Sequence, residues 1–290
     1  MNHPAELAVH QYLENAKGSD THMSEDTIDK VCDDIRAALR RQFGSDSKRR
    51  EFKPRMSNVG RPTCQLWYDK NNPGAALPRS TTFVMNMMIG DIVEAVFKAI
   101  LTEAGVEYEE NEKTTVEFDD GAKVSGTADI SINGAVDDIK SASAWSYKNK
   151  FESYDKLYNM DDFGYVAQLA GYAKGLGKKA GGWWVINKAS GDFKYVPATG
   201  LDIDEECGKI NGTLKKLREN VFERCFEAVP EFFRGKTTGN KVLTKTCSFC
   251  DYRKDCWPTL QQRPMLASQA VSPKMVDYVY IKGQEGGVNA

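Results

Sequence analysis

The sequence predicts an α/β protein in which short strands alternate with long helices. Two observations predict strands: β-branched and apolar residues alternate on either side of Asn133-Gly134, and a second such pair surrounds Ser190-Gly191-Asp192. A third predicts helices, because apolar residues recur at helical spacing over long stretches before and after the strands. At 290 residues, the chain can form one large domain or two small ones with ample core.

The first 55 residues are predicted to form a helical N-terminal extension. We expect a helix over residues 5–16, a polar break at Gly18-Ser19-Asp20, and an amphipathic helix from about Ser24 to Phe43 with Ser24 as its N-cap. The extension either packs on the body or binds a partner. A basic run follows the second helix and either faces a polyanion or is a solvated linker; it consists of Arg40, Arg41, Lys48, Arg49, Arg50, Lys53 and Arg55.

A loop from Met56 leads into a helix near Cys64, which taken alone is most simply a small buried residue. A long helix is then expected from about Thr81 to Ala104. Glu94 lies among its apolar residues, where an unpaired carboxylate is costly. Either this carboxylate binds a metal or it lies at the helix surface. Strands are predicted at residues 106–110 and 114–118.

The predicted hairpin from Val124 to Lys140 concentrates charge. Asp129 lies in its first strand, and Asp138 and Lys140 lie two residues apart in the second, so they share a face. Carboxylates that bind a hard divalent cation, with a lysine near the attacking water or the phosphate, suit phosphodiester hydrolysis. The alternative is a surface hairpin with solvated charges.

The second half of the chain is predicted to contain a helix over residues 163–176, strands over 182–188 and 193–197, and a long helix over 203–228. Gln168 and Tyr172 are four residues apart and share one face of the first of these helices. The tail after Arg263 is expected to be flexible or peripheral, with an optional edge strand over residues 276–281.

Three cysteines near the C-terminus, Cys247, Cys250 and Cys256, have the spacing C-x2-C-x5-C and predict a metal centre that needs a fourth ligand. The candidates are Cys32, Cys64, Cys207 and Cys225. Cys207 and Cys225 are assigned to the core of the long helix, so we expect Cys64, whose distance in sequence would make the centre a clasp between the N- and C-terminal parts. Zn²⁺ bound by four thiolates is the alternative to an iron–sulfur cluster.

Composition and charge argue against several classes of protein. The longest apolar runs are too short to span a membrane and the N-terminus lacks the features of a signal peptide, so we expect a cytoplasmic protein. A net charge of −2 argues against a nonspecific DNA coat. The histidines, His3, His10 and His22, are confined to the extension, which disfavours a catalytic triad or a histidine zinc site in the main domain.

Together these motifs resemble the PD-(D/E)XK nucleases of the RecB type that carry a 4Fe-4S cluster. That group includes CRISPR-associated cluster nucleases, the nuclease domains of AddAB-type helicase–nucleases, and phage exonucleases. The resemblance covers roughly Ser57 to Pro258 and depends on the order of the motifs. It implies a restriction-endonuclease-like core, a mixed central sheet flanked by helices, within residues 56–262, between the extension (1–55) and a tail (263–290).

The resemblance also implies roles for single residues. Asp129 and Asp138 would bind Mg²⁺ or Mn²⁺, with Lys140 as the catalytic lysine, the Ile139 carbonyl as an extra ligand, and Gln168 and Tyr172 supporting the site and contacting DNA. The implied cluster ligands are Cys64, Cys247, Cys250 and Cys256. Many members have a histidine four residues after a glycine of the first helix; here Glu94 occupies that place, which gives an all-oxygen site.

The expected function is that of a metal-dependent deoxyribonuclease. By resemblance, an exonuclease that acts on DNA ends in recombination, repair or phage DNA processing is favoured, with a recombination or replication protein as a possible partner and no membrane partner. The alternative is a non-catalytic nucleic-acid-binding subunit with a structural metal cluster. A third interpretation is a redox or zinc-structural protein.

Overall fold

The computed structural model describes residues 3–17, 22–43 and 52–284. The predicted polar break at Gly18-Ser19-Asp20, part of the basic run (Lys48, Arg49 and Arg50) and the last residues of the tail lie outside the described residues. The chain folds into two compact units. Unit 1 comprises Met1–Arg61 and Ser80–Arg218, and unit 2 comprises Pro62–Arg79 and Glu219–Ala290.

The α-helices are α1 (Pro4–Ala16), α2 (Glu25–Phe43), α3 (Thr63–Asn71), α4 (Thr81–Glu103), α5 (Tyr154–Asn159), α6 (Tyr165–Leu176), α7 (Ile203–Glu219), α8 (Lys245–Ser248) and α9 (Arg253–Cys256). The strands are β1 (Glu109–Glu117), β2 (Lys123–Ile132), β3 (Ala135–Ala142), β4 (Lys179–Asn187), β5 (Phe193–Pro197), β6 (Val229–Phe233), β7 (Lys236–Val242), β8 (Gln261–Pro264) and β9 (Met275–Tyr280). No helix within these described ranges is long and apolar enough to cross a membrane.

Unit 1 is built on a five-stranded mixed sheet in the order β1-β2-β3-β4-β5. The pairs β1–β2, β2–β3 and β4–β5 are antiparallel, whereas β3 and β4 are parallel and are joined by a crossover that contains α5 and α6. The predicted α/β class, with a mixed sheet and flanking helices, is therefore confirmed.

Apolar side chains bury both faces of this sheet. One layer packs the sheet against α6 and α7 through Val136, Trp183, Val185, Leu169 and Ile210. The opposite layer packs the sheet against α1 and α4 through Ile130, Ile139, Trp184, Val9 and Phe97. Because apolar burial drives this packing, α1 and α4 are held against the sheet whose strands β2 and β3 carry Asp129, Asp138 and Lys140.

The hairpin of β2 and β3 forms as predicted. Asn133 and Gly134 have positive φ angles of 51° and 75°, which their small or absent side chains tolerate in a tight hairpin turn. The two strands pair only from Ile130↔Asp137 to Ile132↔Ala135 and then separate. Where the ladder ends, the backbone N–H of Ile139 donates a hydrogen bond to Asp129 Oδ2 at 3.1 Å.

Helix and strand boundaries differ from prediction at two asparagines. The predicted strands at 106–110 and 114–118 are one strand, β1, which continues through Asn111 at a φ of 56°. The long helix predicted to residue 228 ends at Glu219, because Asn220 has a φ of 58°. Asparagine tolerates the left-handed region better than most residues, so it can kink a strand or end a helix without glycine.

Unit 2 contains an antiparallel sheet in the order β6-β7-β9-β8. The strand predicted over residues 276–281 is present as β9, but its predicted position at the edge was wrong, since β9 lies between β7 and β8. Its Tyr278 is buried and donates a hydrogen bond through its hydroxyl to Glu231 Oε1 at 2.7 Å. A buried tyrosine with a carboxylate partner ties the tail into this sheet.

Candidate active site and cysteine cluster

The structure brings Asp129, Asp138 and Lys140 together where β2 and β3 separate. Lys140 Nζ lies 2.6 Å from Asp138 Oδ2, and the two side chains are 19% and 2% exposed. Ile139, predicted as a ligand through its carbonyl oxygen, contacts Asp129 through its N–H. The predicted convergence of two carboxylates and one ammonium group is thus present in unit 1.

Asp138 has an unusual environment for a carboxylate. Its Oδ1 is buried and has no hydrogen-bond partner among the residues that the structure describes, and the contact of Oδ2 with Lys140 is an ion pair without hydrogen-bond geometry. A buried, incompletely satisfied carboxylate oxygen costs free energy unless a donor or cation compensates it. Asp138 is therefore suited to bind a cation.

The charged groups of Asp129, Asp138 and Lys140 shift one another's pKa values. Burial, followed by the nearby Asp138 carboxylate, raises the pKa of Asp129 to about 6. Burial also raises the pKa of Asp138, against the lowering effect of Lys140. For Lys140, burial opposes the charge, but the carboxylates of Asp138 and Asp129 more than offset it and hold the pKa above its ordinary value. Lys140 is consequently an ammonium group at neutral pH.

Glu94 of α4 is near this cluster, but its carboxylate is paired. Lys98, one helical turn later and almost fully buried, places its Nζ 2.7 Å from Glu94 Oε1. Burial, followed by the Asp129 carboxylate, raises the pKa of Glu94, while Lys98 lowers it. Lys98 is not among the residues predicted from the sequence, although its spacing four residues after Glu94 is typical of a helical ion pair.

Gln168 and Tyr172 lie on one face of α6, as predicted. Gln168 Nε2 donates to the Tyr172 hydroxyl at 3.1 Å, and both residues line a groove with Asp129. Burial raises the pKa of Tyr172 to about 12, so the phenol stays protonated. Gly126 permits this packing, since a Cβ there would lie 2.6 Å from Tyr172 Cε1 and 2.8 Å from Met56.

Tyr165 is a site residue that the sequence analysis missed. The ring centroid of Tyr165 lies 5.1 Å from Lys140 Nζ and 4.5 Å from Lys150 Nζ, within cation–π range. Burial raises its pKa, so the ring is neutral. The available signal was its position three residues before Gln168, which places both on one helical face.

A second group of candidate residues lies in unit 2. Cys247 lies in α8 and Cys256 ends α9, and both line a pocket with Cys64, Cys250 and Trp257. Segments distant in sequence meet here, because Tyr68 stacks on Tyr252 with ring centroids 5.1 Å apart and the Tyr252 hydroxyl donates to Asp69 Oδ1 at 2.6 Å. The four predicted cysteines therefore share one pocket.

Cys225 was wrongly assigned to the core of a helix. Because α7 ends at Glu219, Cys225 lies in the following loop and is exposed. The backbone N–H of Cys64 donates to Cys225 Sγ at 3.1 Å, and the thiol of Cys225 is the main cause of a raised pKa for Cys64. Cys207, by contrast, is buried in α7 as expected. Cys225 is thus a fifth thiol, beside Cys64 but outside the lining of the pocket.

Neither group forms a ready-made metal site. Within residues 3–17, 22–43 and 52–284, no set of three or more histidine, cysteine or acidic side chains has metal-binding geometry. The donor chemistry nevertheless fits the expected groups: oxygen donors with an unsatisfied Asp138 oxygen suit Mg²⁺ or Mn²⁺, and thiols suit an iron–sulfur cluster or Zn²⁺. Trp257 is buried beside the thiols; burial raises the pKa of the Cys247 thiol, and the Trp257 N–H is among the groups that lower it.

Comparisons with known proteins add little. No family model matches the sequence, and no curated protein matches it. One solved structure, described as "Crystal structure of SSO0001", is 14% identical, with a TM-score of 0.42 over 80% of this chain and 96% of that chain. The similarity is too distant to support an argument about function.

Proposed function

We propose that this protein is a divalent-metal-dependent deoxyribonuclease that removes nucleotides from DNA ends. The observation that supports it most is the buried Asp138 carboxylate, which has an unsatisfied oxygen, the Asp129 carboxylate nearby and Lys140 Nζ at 2.6 Å. Two buried carboxylates with one ammonium group retain an excess of negative charge when ionised. A divalent cation would compensate that charge.

Asp129 and Asp138 would bind the cation, and Glu94 would join them after exchanging its contact with Lys98. The cation would supply charge neutralisation at the phosphate and a more acidic water. Because the pKa of Lys140 is raised, its ammonium group cannot serve as a general base at neutral pH. It would instead orient the attacking water or stabilise the negative charge that develops on the phosphate.

Gln168 and Tyr172, which line the groove together with Asp129, would assist. The Gln168 amide donates to the Tyr172 hydroxyl, which orients that hydroxyl towards a single acceptor. A protonated phenol can donate a hydrogen bond to a phosphate oxygen. These two residues would therefore position the substrate rather than transfer a proton.

For unit 2 we propose a structural 4Fe-4S cluster ligated by Cys64, Cys247, Cys250 and Cys256, with Zn²⁺ as the alternative. Support comes from their shared pocket. Iron, sulfide and zinc analysis of anaerobically purified protein, with its visible absorbance, distinguishes the two metals. Protein free of both metals would contradict the assignment.

The nuclease proposal is tested on end-labelled linear DNA beside a covalently closed circle, with Mg²⁺ or Mn²⁺. The native protein should degrade only the linear DNA, and Lys140→Ala should lower the rate by about 10²–10³-fold, typical for loss of one group that stabilises charge in the transition state. Lys123→Ala is the matched control, since Lys123 lies on the same hairpin but pairs with Glu117 at the surface.

Three outcomes would contradict the proposal or part of it. Absence of cleavage by a protein with its cysteine centre intact would favour the binding-subunit alternative. Equal activity of Lys140→Ala and native protein would overturn the catalytic assignment of Lys140. Cleavage of the closed circle at the rate of linear DNA would replace the end-dependent activity with an endonuclease activity.

A further inference from the structure

A groove with a volume of about 830 Å³ opens beside the candidate catalytic residues of unit 1. Asp129, Gln168 and Tyr172 line one part of it. The rest of its surface is formed by basic and small residues, namely Arg41, Arg55, Ser57, Lys113, Thr114, Thr115, Ser125, Gly126 and Thr127. Asp129 is the only acid among these lining residues.

The N-terminal extension supplies one of the cations. Arg41 lies in the last turn of α2, and its guanidinium group lies 2.9 Å from Asp91 Oδ1 of α4. Gln42 Nε2 donates to the other oxygen of Asp91 at 3.1 Å. Two adjacent side chains thus anchor the end of α2 on α4 and hold Arg41 at the edge of the groove.

The other cations lie on and beside the β1–β2 ladder. Lys113 of β1 is the cross-strand partner of Thr127, and Arg55 forms an isolated bridge with Ser125. Both basic side chains are exposed, and neither makes an ion pair with any residue in the described ranges. Two cations that make no ion pair within the described part of the chain are therefore available to an anion in the groove.

Hydroxyl groups occupy the surface between these cations and Asp129. Thr115 Oγ1 and Ser125 Oγ lie 2.8 Å apart on neighbouring strands, and Thr127 is two residues before Asp129 on the same strand. Residues two apart in a strand share a face, so Ser125, Thr127 and Asp129 form one row. Hydroxyls and cations in a row suit a ligand with several phosphate groups.

We infer that this groove binds a single polynucleotide strand, with consecutive phosphates at Arg41, Arg55 and Lys113 and the scissile phosphate at Asp129. The inference rests on the proposed function and extends it to the form of the substrate. The groove volume of about 830 Å³ lies within the range of small-ligand clefts, about 300–1,000 Å³, so a few nucleotides of one strand are enough to occupy it. The extension is then part of the substrate site.

The test measures binding of a short oligothymidine by the full-length protein in buffer without divalent cations, as a function of salt concentration. Each phosphate contact with a single strand contributes about 0.7 to the slope of log K against log salt concentration. Arg41→Ala, Arg55→Ala and Lys113→Ala should each lower the magnitude of that slope by about this amount. The triple variant should lose about three times as much.

Matched controls exist on the same elements. Arg36 lies on α2 and pairs with Asp33, and Lys123 lies on β2 and pairs with Glu117. Arg36→Ala and Lys123→Ala should leave the slope unchanged, because neither residue lines the groove. A fully paired duplex of the same length should bind more weakly than the single strand.

The outcomes separate this inference from the proposed function. If the protein degrades DNA but the three groove variants show unchanged slopes, the groove inference is overturned and the nuclease proposal stands. If the three groove variants show lower slopes but the protein degrades no DNA, the groove inference is supported and the nuclease proposal is contradicted. Equal loss of slope in the control variants, or tighter binding of the duplex, would also overturn the inference.

Discussion

At the scale of single residues, the candidate site depends on how the Lys140 ammonium group is held. Asp138 lies 2.6 Å from it, and the Tyr165 ring covers it at 5.1 Å from the centroid. A cation near both a carboxylate and an aromatic face has few alternative positions. Tyr165 is therefore a positioning residue for Lys140 in the proposed reaction.

Replacing Tyr165 by leucine should lower kcat. Loss of a cation–π contact of about 1–2 kcal/mol corresponds to a rate roughly 5–30-fold lower. Tyr165→Phe retains the ring and should keep kcat within about twofold of native at this order of magnitude. Steady-state kinetics on linear DNA measure both. A low kcat in Tyr165→Phe as well would assign the effect to the hydroxyl instead of the ring.

Asp137, the neighbour of Asp138, should make stability depend on pH. Burial raises its pKa to about 7, despite hydrogen bonds from Tyr195 and Trp184. The folded state therefore keeps this proton up to about pH 7, whereas the unfolded chain releases it near pH 3.9. As pH rises from about 4 to 7, the unfolded state binds fewer protons than the folded state, and this group lowers the free energy of unfolding.

Asp137→Asn should remove that contribution. The difference in unfolding free energy, native minus variant, should fall by a few kcal/mol as the pH rises from about 4 to 7, at roughly 1.4 kcal/mol per pKa unit. Urea unfolding at several pH values, without divalent cations, measures it. His3 Nε2 lies 3.9 Å from Asp137, and burial lowers the pKa of His3, which disfavours its protonated form. A difference that does not change with pH would contradict the prediction.

At the scale of elements, the position of α6 depends on a contact between two glycines. A Cβ on Gly164, which precedes α6 at a φ of 79°, would lie 2.5 Å from the Gly60 backbone. Side chains of ordinary residues cannot enter that space. The close approach fixes the start of α6, and with it Tyr165 and Gln168, beside the turn that precedes Pro62.

Gly164→Ala should destabilise the protein by about 3 kcal/mol, the sum of left-handed backbone strain and of overpacking against a backbone. Gly177→Ala at the other end of α6 is the matched control. Gly177 also has a positive φ, 65°, but a Cβ there meets no atom within 4 Å. Replacing Gly177 by alanine should lower the free energy of unfolding by only about 1–2 kcal/mol. Urea midpoints compare the two variants, and equal costs would show that the contact with Gly60 is unimportant.

At the scale of the whole molecule, the two units differ in how much apolar core they contain. Unit 1 has two extensive buried layers, whereas the core cluster of unit 2 is centred on Leu243, Cys247 and Trp257. A small domain with little core commonly gains its stability from a metal centre. Unit 2 is therefore expected to depend on its thiol ligands.

Chelation of the metal, or Cys247→Ser, should reduce amide hydrogen-exchange protection in residues 62–79 and 219–284 while residues 80–218 keep theirs. Mass spectrometry of peptides from each unit measures this. Cys32→Ser is the control, because Cys32 is exposed on α2 of unit 1. Equal protection with and without metal would mean that unit 2 folds on its apolar contacts alone.

Local sequence patterns were sufficient to predict many of these helices and strands. Helices α1, α2 and α4, the Asn133-Gly134 turn and the shared face of Asp138 and Lys140 were predicted correctly, because each depends on periodicity or on one turn. The strand that passes through Asn111 and the helix that stops at Asn220 were not. A left-handed asparagine has no distinctive sequence pattern, since the same residue also occurs in ordinary helices and strands.

The sequence by itself determined the α/β class, the hairpin and the residue types available for a cation or a thiol-bound metal. Only the tertiary structure decided that Glu94 pairs with Lys98, that Cys225 lies beside Cys64 and that Arg41 of the extension reaches the groove beside Asp129. The physical reason is the distance in sequence over which the interactions act. Turns and amphipathic faces follow from interactions between residues a few positions apart, whereas ion pairs, burial and pKa shifts depend on atoms that folding brings together from distant parts of the chain.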